Sequence, residues 1–350
     1  MKKILFTIGL QFNDQNRTGV GEVYYNLLSA IDFDVWVISN KKTFENKINI
    51  HCIYMSDFKY RLFRYLRYFL PITFFVKQKF DVYVSDGFIP IVPKKAKQYA
   101  FVHDLMHAIY PENYKKSVLW NYTKFYKDVV KRSVFLISVS ETTKNDLIKY
   151  KHISAEKISV LPLTTTLSID KKASEPFFIC IGAMRKNKNL LNTIKGFEDF
   201  KKNNRNSVHT LFIAGSKSGE YETLKAYVES HSLSDCIQFL GYITDEQKID
   251  LLSKCTALVM LSSYEGFGIP ILEAGLNKIP VIASRIPAFE EFTKNNVIFA
   301  ESDNIQSISS AFVTAMDEEV LQNNSLNFYE EIHRYTPKQF KQNVYSLLYL

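Results

Sequence analysis

The chain has 350 residues, 46% hydrophobic and 23% charged, with 44 Lys and Arg against 36 Asp and Glu for a net charge of +8. This composition excludes a disordered, collagen-like or membrane-spanning chain, and the length predicts about two domains, each able to bury its own core. The excess of cations favours anionic partners, whether nucleotides, nucleic acid or an acidic membrane surface, without choosing among them. Glycine is scarce at 12 residues, while Phe (27) and Tyr (21) are abundant, so a glycine in a loop is expected to be there for a backbone reason. Cys52, Cys180, Cys236 and Cys255 form no C-x-x-C pair and read as reduced, buried thiols of a cytosolic protein.

From the N-terminus, Met1-Lys2-Lys3 leads into an apolar run read as a first strand, because no small-residue cleavage site follows before Asn13-Asp14-Gln15-Asn16. No apolar run approaches the roughly 20 residues a bilayer span requires. Runs rich in Val, Ile and Phe recur at 3–9, 34–39, 81–85, 98–103 and 134–140, and helical periodicity lies between them, as at Val23, Tyr24, Leu27, Leu28 and Ile31. Strands alternating with helices predict a parallel sheet covered on both faces. The pattern breaks at about 162–176, then restarts with runs at 177–182, 209–215, 237–241, 257–262, 280–284 and 297–300. Two Rossmann-like α/β domains are therefore predicted, over 1–165 and 166–335, followed by a C-terminal helix at 336–350, for which a return to the first domain is an option that the sequence alone does not show.

Ligands of open parallel sheets bind beyond the carboxyl ends of the strands. The first such segment, Thr18-Gly19-Val20-Gly21-Glu22, lets backbone amides approach an anion, although Tyr24 stands where a dinucleotide fingerprint needs a third glycine, and a plain flexible loop fits equally. His103-Asp104 ends another strand; His107 follows at helical spacing, but no third ligand accompanies it and Pro111 stops the helix, so a metal pair is not expected. Arg185, Lys186 and Lys188 precede a helix N-terminus, the wrong sign for its dipole unless an anion binds there or the turn is simply solvated. The most informative stretch runs from Ser262 through Glu265-Gly266-Phe267-Gly268-Ile269-Pro270 to Glu273-Ala274. Exposed helix amides suit a diphosphate, and the two carboxylates suit sugar hydroxyls.

This segment resembles the retaining glycosyltransferases of family 4, in which two glutamates are separated by seven residues, as Glu265 and Glu273 are here. Phe239-Leu240-Gly241-Tyr242, Pro280-Val281-Ile282, Thr18-Gly19-Val20-Gly21, Val102-His103-Asp104-Leu105 and Ser140-Glu141-Thr142-Thr143-Lys144 fit the same family in the same order. The resemblance implies the glycosyltransferase-B fold, two parallel-sheet domains facing across a cleft, with the acceptor on the first and the nucleotide sugar on the second. It implies that Glu273 binds the donor ribose, Glu265 the transferred sugar and Lys188 the diphosphate, with Arg185 replacing an arginine the family places nearby. His103 is expected beside the reacting sugar, and Gly19, Gly21, Lys186, Gly266, Phe267, Gly268 and Ile269 around the donor. The H-D-L and Y-P pattern most resembles mannosyltransferases of O-antigen assembly, which implies GDP-mannose as donor, a lipid-linked surface glycan as acceptor, and neither a cofactor nor a metal. Asp32-Phe33-Asp34 opens a strand and reads as a polar turn.

In segment 58–71, helical projection gathers Phe58, Leu62, Tyr65, Leu66, Phe69 and Leu70 on one arc and Arg61, Arg64 and Arg67 opposite, with Tyr60 and Tyr68 among them. This is either a basic face for an anionic inner membrane or a lipid-diphosphate acceptor, with Asp104 placed on the same acceptor side, or a core-packed helix with a solvated face. The resulting expectation is a cytoplasmic enzyme, peripheral to the membrane and not bound to nucleic acid. A nucleotide-sugar epimerase or sugar phosphorylase on the same fold and a non-catalytic binding module are the alternatives.

Overall fold

A computed structural model describes residues 2–7, 19–31, 34–39, 49–67, 69–132 and 134–349. Thr18, Tyr68 and the pair Asp32-Phe33 lie outside the described residues, as does the side chain of Arg64. The chain forms two compact units, Met1–Thr164 with Thr336–Leu350, and Thr165–Tyr335.

Unit 1 contains β1 (Ile4–Thr7), β2 (Val35–Ser39), β3 (Ile50–Tyr54), β4 (Val82–Asp86), β5 (Lys97–Val102), β6 (Phe135–Ser138) and β7 (Ile158–Val160). They form one sheet in the order β3-β2-β1-β4-β5-β6-β7, and every pairing is parallel. The edge strands β3 and β7 escape the sequence pattern because each buries only part of its length and so lacks a continuous apolar run. On one side of the sheet Ile4 and Phe6 pack with Tyr24, Leu27 and Leu28 of the helix Gly19–Ala30, joined by Phe340, Val344 and Leu348 of the terminal helix Pro337–Tyr349. The C-terminal helix is thus part of the first unit's core.

Unit 2 contains β8 (Phe177–Ile181), β9 (Thr210–Ala214), β10 (Ile237–Gly241), β11 (Ala257–Met260), β12 (Val281–Ser284) and β13 (Ile298–Ala300). Their order is β10-β9-β8-β11-β12-β13, again all parallel. Much of the phenylalanine excess is used here, where Phe178 lies edge-on to Phe312 at 4.8 Å and Phe197 edge-on to Phe312 at 5.3 Å. Strand order reverses between β8 and β11, so their carboxyl ends diverge and leave a crevice at that point.

The loops after β8, β9 and β10 are tied to one another at this end of the sheet. Gly182 donates its N–H to Ala214 O at 2.9 Å, and Gly215 donates to Gly241 O at 2.7 Å. Gly215 has φ +149°, and a Cβ there would stand 1.8 Å from Gly182 O. Backbone cannot yield as a flexible side chain does, so Gly215→Ala should destabilise the protein by about 2 kcal/mol or more. Urea denaturation of the variant checks this, and unchanged stability would show that the loops are not locked together as described.

Candidate active site

In unit 2 the crevice between β8 and β11 receives its side chains from the two loops that begin there. After β8 the chain passes Gly182, makes a short 3-10 turn over Lys186–Lys188, and enters the helix Leu190–Asn203 through Asn189, which is left-handed at φ 54°. After β11 it runs from Ser262 to Gly268 and enters the helix Ile269–Leu276, with Pro270 tolerated in the first turn. Asn187 joins the two loops: its Nδ2 donates to Tyr264 O at 3.1 Å, and its carbonyl accepts from the Ser263 N–H at 2.8 Å. Lys188 is thereby carried to Glu265, with Nζ to Oε1 at 2.6 Å and both side chains mostly buried. The Lys188 stem runs along Gly182, where a Cβ would stand 3.2 Å from Cε. A hollow beside the pair is lined by Gly182, Lys188, Thr193, Met260 and Ser262, and the buried Ser262 Oγ has no hydrogen-bond partner.

Arg185 and Lys186 are exposed at the same strand end. Neither joins the Lys188–Glu265 pair, which separates one cation engaged with a carboxylate from two facing solvent. Gly266, Phe267 and Gly268 are buried, and Ile269 is half-buried. Phe267, grouped by sequence with the donor contacts, turns into the core and stacks on Phe292 at 5.1 Å, where it pins the loop. Gly268, with φ +118°, lets the loop pass the Phe289 ring, which a Cβ would approach to 2.8 Å.

Glu273 is only 1% exposed. A carboxylate at that depth requires a cation or several donors. Lys248 supplies one, Nζ to Oε1 at 2.9 Å, from the helix Asp245–Lys254 that follows β10. Sequence reading missed Lys248, since its partner is 25 residues away on a different helix and no spacing rule connects them.

In unit 1, Gly19 and Gly21 stand in the first described turn of the helix Gly19–Ala30 and not in a loop ahead of it. Tyr24, at the position that would be the third glycine of a dinucleotide fingerprint, is buried and places its hydroxyl 3.2 Å from His103 Nε2. Asp86, at the end of β4, has Oδ1 3.8 Å from the same nitrogen. Burial and the nearby Asp86 carboxylate push the Tyr24 phenol well above its ordinary value, so it stays protonated. Asp86 is the second residue that sequence reading missed, because it meets His103 only across adjacent parallel strands. Asp104 Oδ1 accepts from the Met106 N–H at 2.9 Å, at the start of the short helix Met106–Ile109. His107 is buried and stacked on Tyr122 at 3.6 Å.

Residues 57–66 form a helix, and the apolar arc expected to face the core divides, with Leu66 and the following Leu70 packed against the core cluster and the rest outward. Tyr60 and Phe63 are buried, Phe63 against Phe75 at 5.1 Å, while Phe58 is 77% and Tyr65 76% exposed, with Leu62 and Phe69 also outward. Arg61 is exposed, and Arg67 lies half-buried with its guanidinium 4.1 Å from the Phe88 ring centre.

Residues 167–338 match the family described as glycosyl transferases group 1. That stretch takes in nearly all of the second unit, Thr165–Tyr335. The matched stretch carries Glu265 and Glu273 where β11 meets its helix, beside the strand-order reversal. Among curated proteins the chain is 32% identical over 222 residues to the O-antigen chain mannosyltransferase RfbU of Salmonella typhimurium, covering 63% of this chain and 61% of that one. It is 31% identical over 140 residues to the serotype-specific mannosyltransferase WbdA of Escherichia coli, covering 40% of this chain and 17% of that one. The matches therefore span less than two thirds of these relatives' own lengths. A solved sucrose-phosphate synthase from Thermosynechococcus elongatus superposes with TM-score 0.77 at 14% identity, covering 99% of this chain and 98% of that one. That likeness establishes the fold, the two Rossmann-like α/β domains of the glycosyltransferase-B class.

Burial, with the Lys151 ammonium adding to it, pushes the His107 imidazole down from 6.5 to about 3. The folded form thus excludes a proton that the unfolded chain accepts, so stability is full above pH 6.5 and is lost as pH falls toward 3. His107→Phe, which keeps the stack, should be less acid-sensitive than the parent by about 1–2 kcal/mol between pH 7.5 and pH 5. Urea melts at the two pH values measure this, and equal losses in both proteins would reject it.

Proposed function

We propose that the protein is a retaining glycosyltransferase that moves a hexose, mannose from GDP-mannose, onto a lipid-linked surface polysaccharide at the cytoplasmic face of the membrane. The observation that carries this is the Lys188–Glu265 pair at the β8/β11 crevice, with Glu273 in the helix Ile269–Leu276 that the same loop enters. The mannose donor and O-antigen acceptor are supported by the names of RfbU and WbdA. In this reading the sugar–phosphate bond breaks and the acceptor oxygen bonds to the same face of the anomeric carbon. The acceptor proton passes to the departing diphosphate. Lys188, with the exposed Arg185 and Lys186, offsets the charge that develops on the leaving group, so no metal ion or cofactor is required. Glu265 receives hydroxyls of the transferred sugar and Glu273 those of the ribose. Within unit 1, His103 is flanked by the Tyr24 hydroxyl and the Asp86 carboxylate.

Lys188→Ala should lower turnover by about 100-fold or more, the scale of losing one preorganised charge contact, while Glu273→Ala mainly weakens donor binding. Transfer from GDP-mannose, UDP-hexoses and UDP-N-acetylhexosamines to a lipid-linked acceptor, with and without chelator, checks both. Kinetics unchanged in both variants would remove the assignment, and donor turnover without acceptor would favour an epimerase.

Peripheral docking is supported by the helix Asp57–Leu66, which presents Phe58, Leu62 and Tyr65 outward beside Arg61. Aromatic side chains next to cations suit the headgroup boundary of an anionic bilayer. The triple variant Phe58→Ser, Tyr65→Ser, Phe69→Ser should bind phosphatidylglycerol vesicles about tenfold or more weakly in sedimentation assays, with donor binding unaltered. Equal vesicle binding by parent and variant would exclude this surface.

A further inference from the structure

The Lys248–Glu273 pair has features that burial alone does not explain. Lys248 projects from the first turns of the helix Asp245–Lys254, and that helix start is held by a reciprocal cap: Gln247 N–H to Thr244 Oγ1 at 3.3 Å, and Thr244 N–H to Gln247 Oε1 at 2.9 Å. Its ammonium is also 3.6 Å from Asp245 Oδ1, so it sits between two carboxylates of unequal exposure, Asp245 near the surface and Glu273 at 2% side-chain exposure. The lysine side chain itself is only 14% exposed. Glu273 is fixed from behind by its own helix, whose last turn is tied by Asn277 Nδ2 to Glu273 O at 2.7 Å. A carboxylate that is to receive two neighbouring hydroxyls must be ionised and correctly rotated, and a rigidly based ammonium on one oxygen supplies both conditions.

We propose that Lys248 is a positioning residue of the nucleotide site, holding the Glu273 carboxylate in the rotation that receives the ribose hydroxyls of a nucleoside diphosphate. The inference rests on the reading of Glu273 as the ribose-binding carboxylate. Lys248 acts through Glu273, so its removal is felt where the ribose is read and not uniformly over the ligand. A lysine that merely stabilised the fold would weaken all nucleotides alike.

The test compares calorimetric binding of GDP and UDP with that of their 2′-deoxy counterparts. The proteins are the parent, Lys248→Met, Lys248→Arg, Glu273→Gln and the double variant Lys248→Met with Glu273→Gln, each first shown to be folded by its thermal transition. The parent should prefer the ribonucleotide by about tenfold or more, the scale of a hydrogen bond to a charged group. Glu273→Gln should remove most of that preference, Lys248→Met should reduce it several-fold, and Lys248→Arg should retain it. The double variant should match Glu273→Gln, because the two residues form one unit. A Lys248→Met protein that loses affinity equally for ribo- and deoxynucleotides, or keeps the full preference while Glu273→Gln loses it, overturns the inference alone. A Glu273→Gln protein that keeps the preference, or no binding of either nucleotide to the parent, overturns the ribose reading beneath it. If Lys248→Met does not fold, Lys248→Gln takes its place in the same comparison.

Discussion

A carboxylate held at the end of a parallel sheet is tolerable only when a cation meets it there, and unit 2 is organised around two such meetings. Glu265 and Glu273 lie on one continuous segment, but their lysines arrive from different directions, Lys188 from the loop after β8 and Lys248 from the helix after β10. The glutamate segment after β11 is therefore bound to two other strand ends by charge, while the amides of Gly182 and Gly215 bind the β8, β9 and β10 loops to one another through backbone. Removing one partner of a buried pair leaves an uncompensated charge, which costs about 3–5 kcal/mol. The local fold and the placement of the two carboxylates are consequently one constraint.

The scarcity of glycine acquires a physical meaning from this arrangement. Gly215 stands where the Gly182 carbonyl occupies the space of a Cβ, and Gly268 where the Phe289 ring does. In a chain with so few glycines, their clustering at strand ends marks backbone packing that side chains would prevent. That much was readable from composition and position. The central strands were also readable, because strands buried on both faces are continuous apolar runs. The edge strands β3 and β7 were not, since half-buried segments mix polar and apolar residues with no strong period.

Residues that meet across elements divide the same way. The interval between Glu265 and Glu273 is a property of one segment and survives in the sequence, whereas Lys248 and Asp86 acquire their partners only when neighbouring strands and helices are laid side by side. The helix Asp57–Leu66 shows a different failure. Aromatic residues occupy both of its sides, so periodicity alone offers two candidate buried faces. Phe63 goes inward because Phe75 and Phe88 form a complementary aromatic cluster, and Phe58 and Tyr65 are left outside. Hydrophobic patterning identifies amphipathic helices well but does not decide which of two apolar faces finds a partner.

The net charge of +8 is likewise distributed by environment. Lys188 and Lys248 are engaged by buried glutamates, so their charge is largely cancelled locally. Arg185 and Lys186 remain exposed, just ahead of the helix Leu190–Asn203, whose entry residue Asn189 makes no side-chain cap. The positive end of a helix dipole beside two solvated cations is unfavourable by some tenths of a kcal/mol for each, about 0.3–1. An anion bound there would reverse the sign of each of these contacts. The paired cations tie the crevice loops to their glutamates, while the exposed ones leave a positive potential at the same strand end.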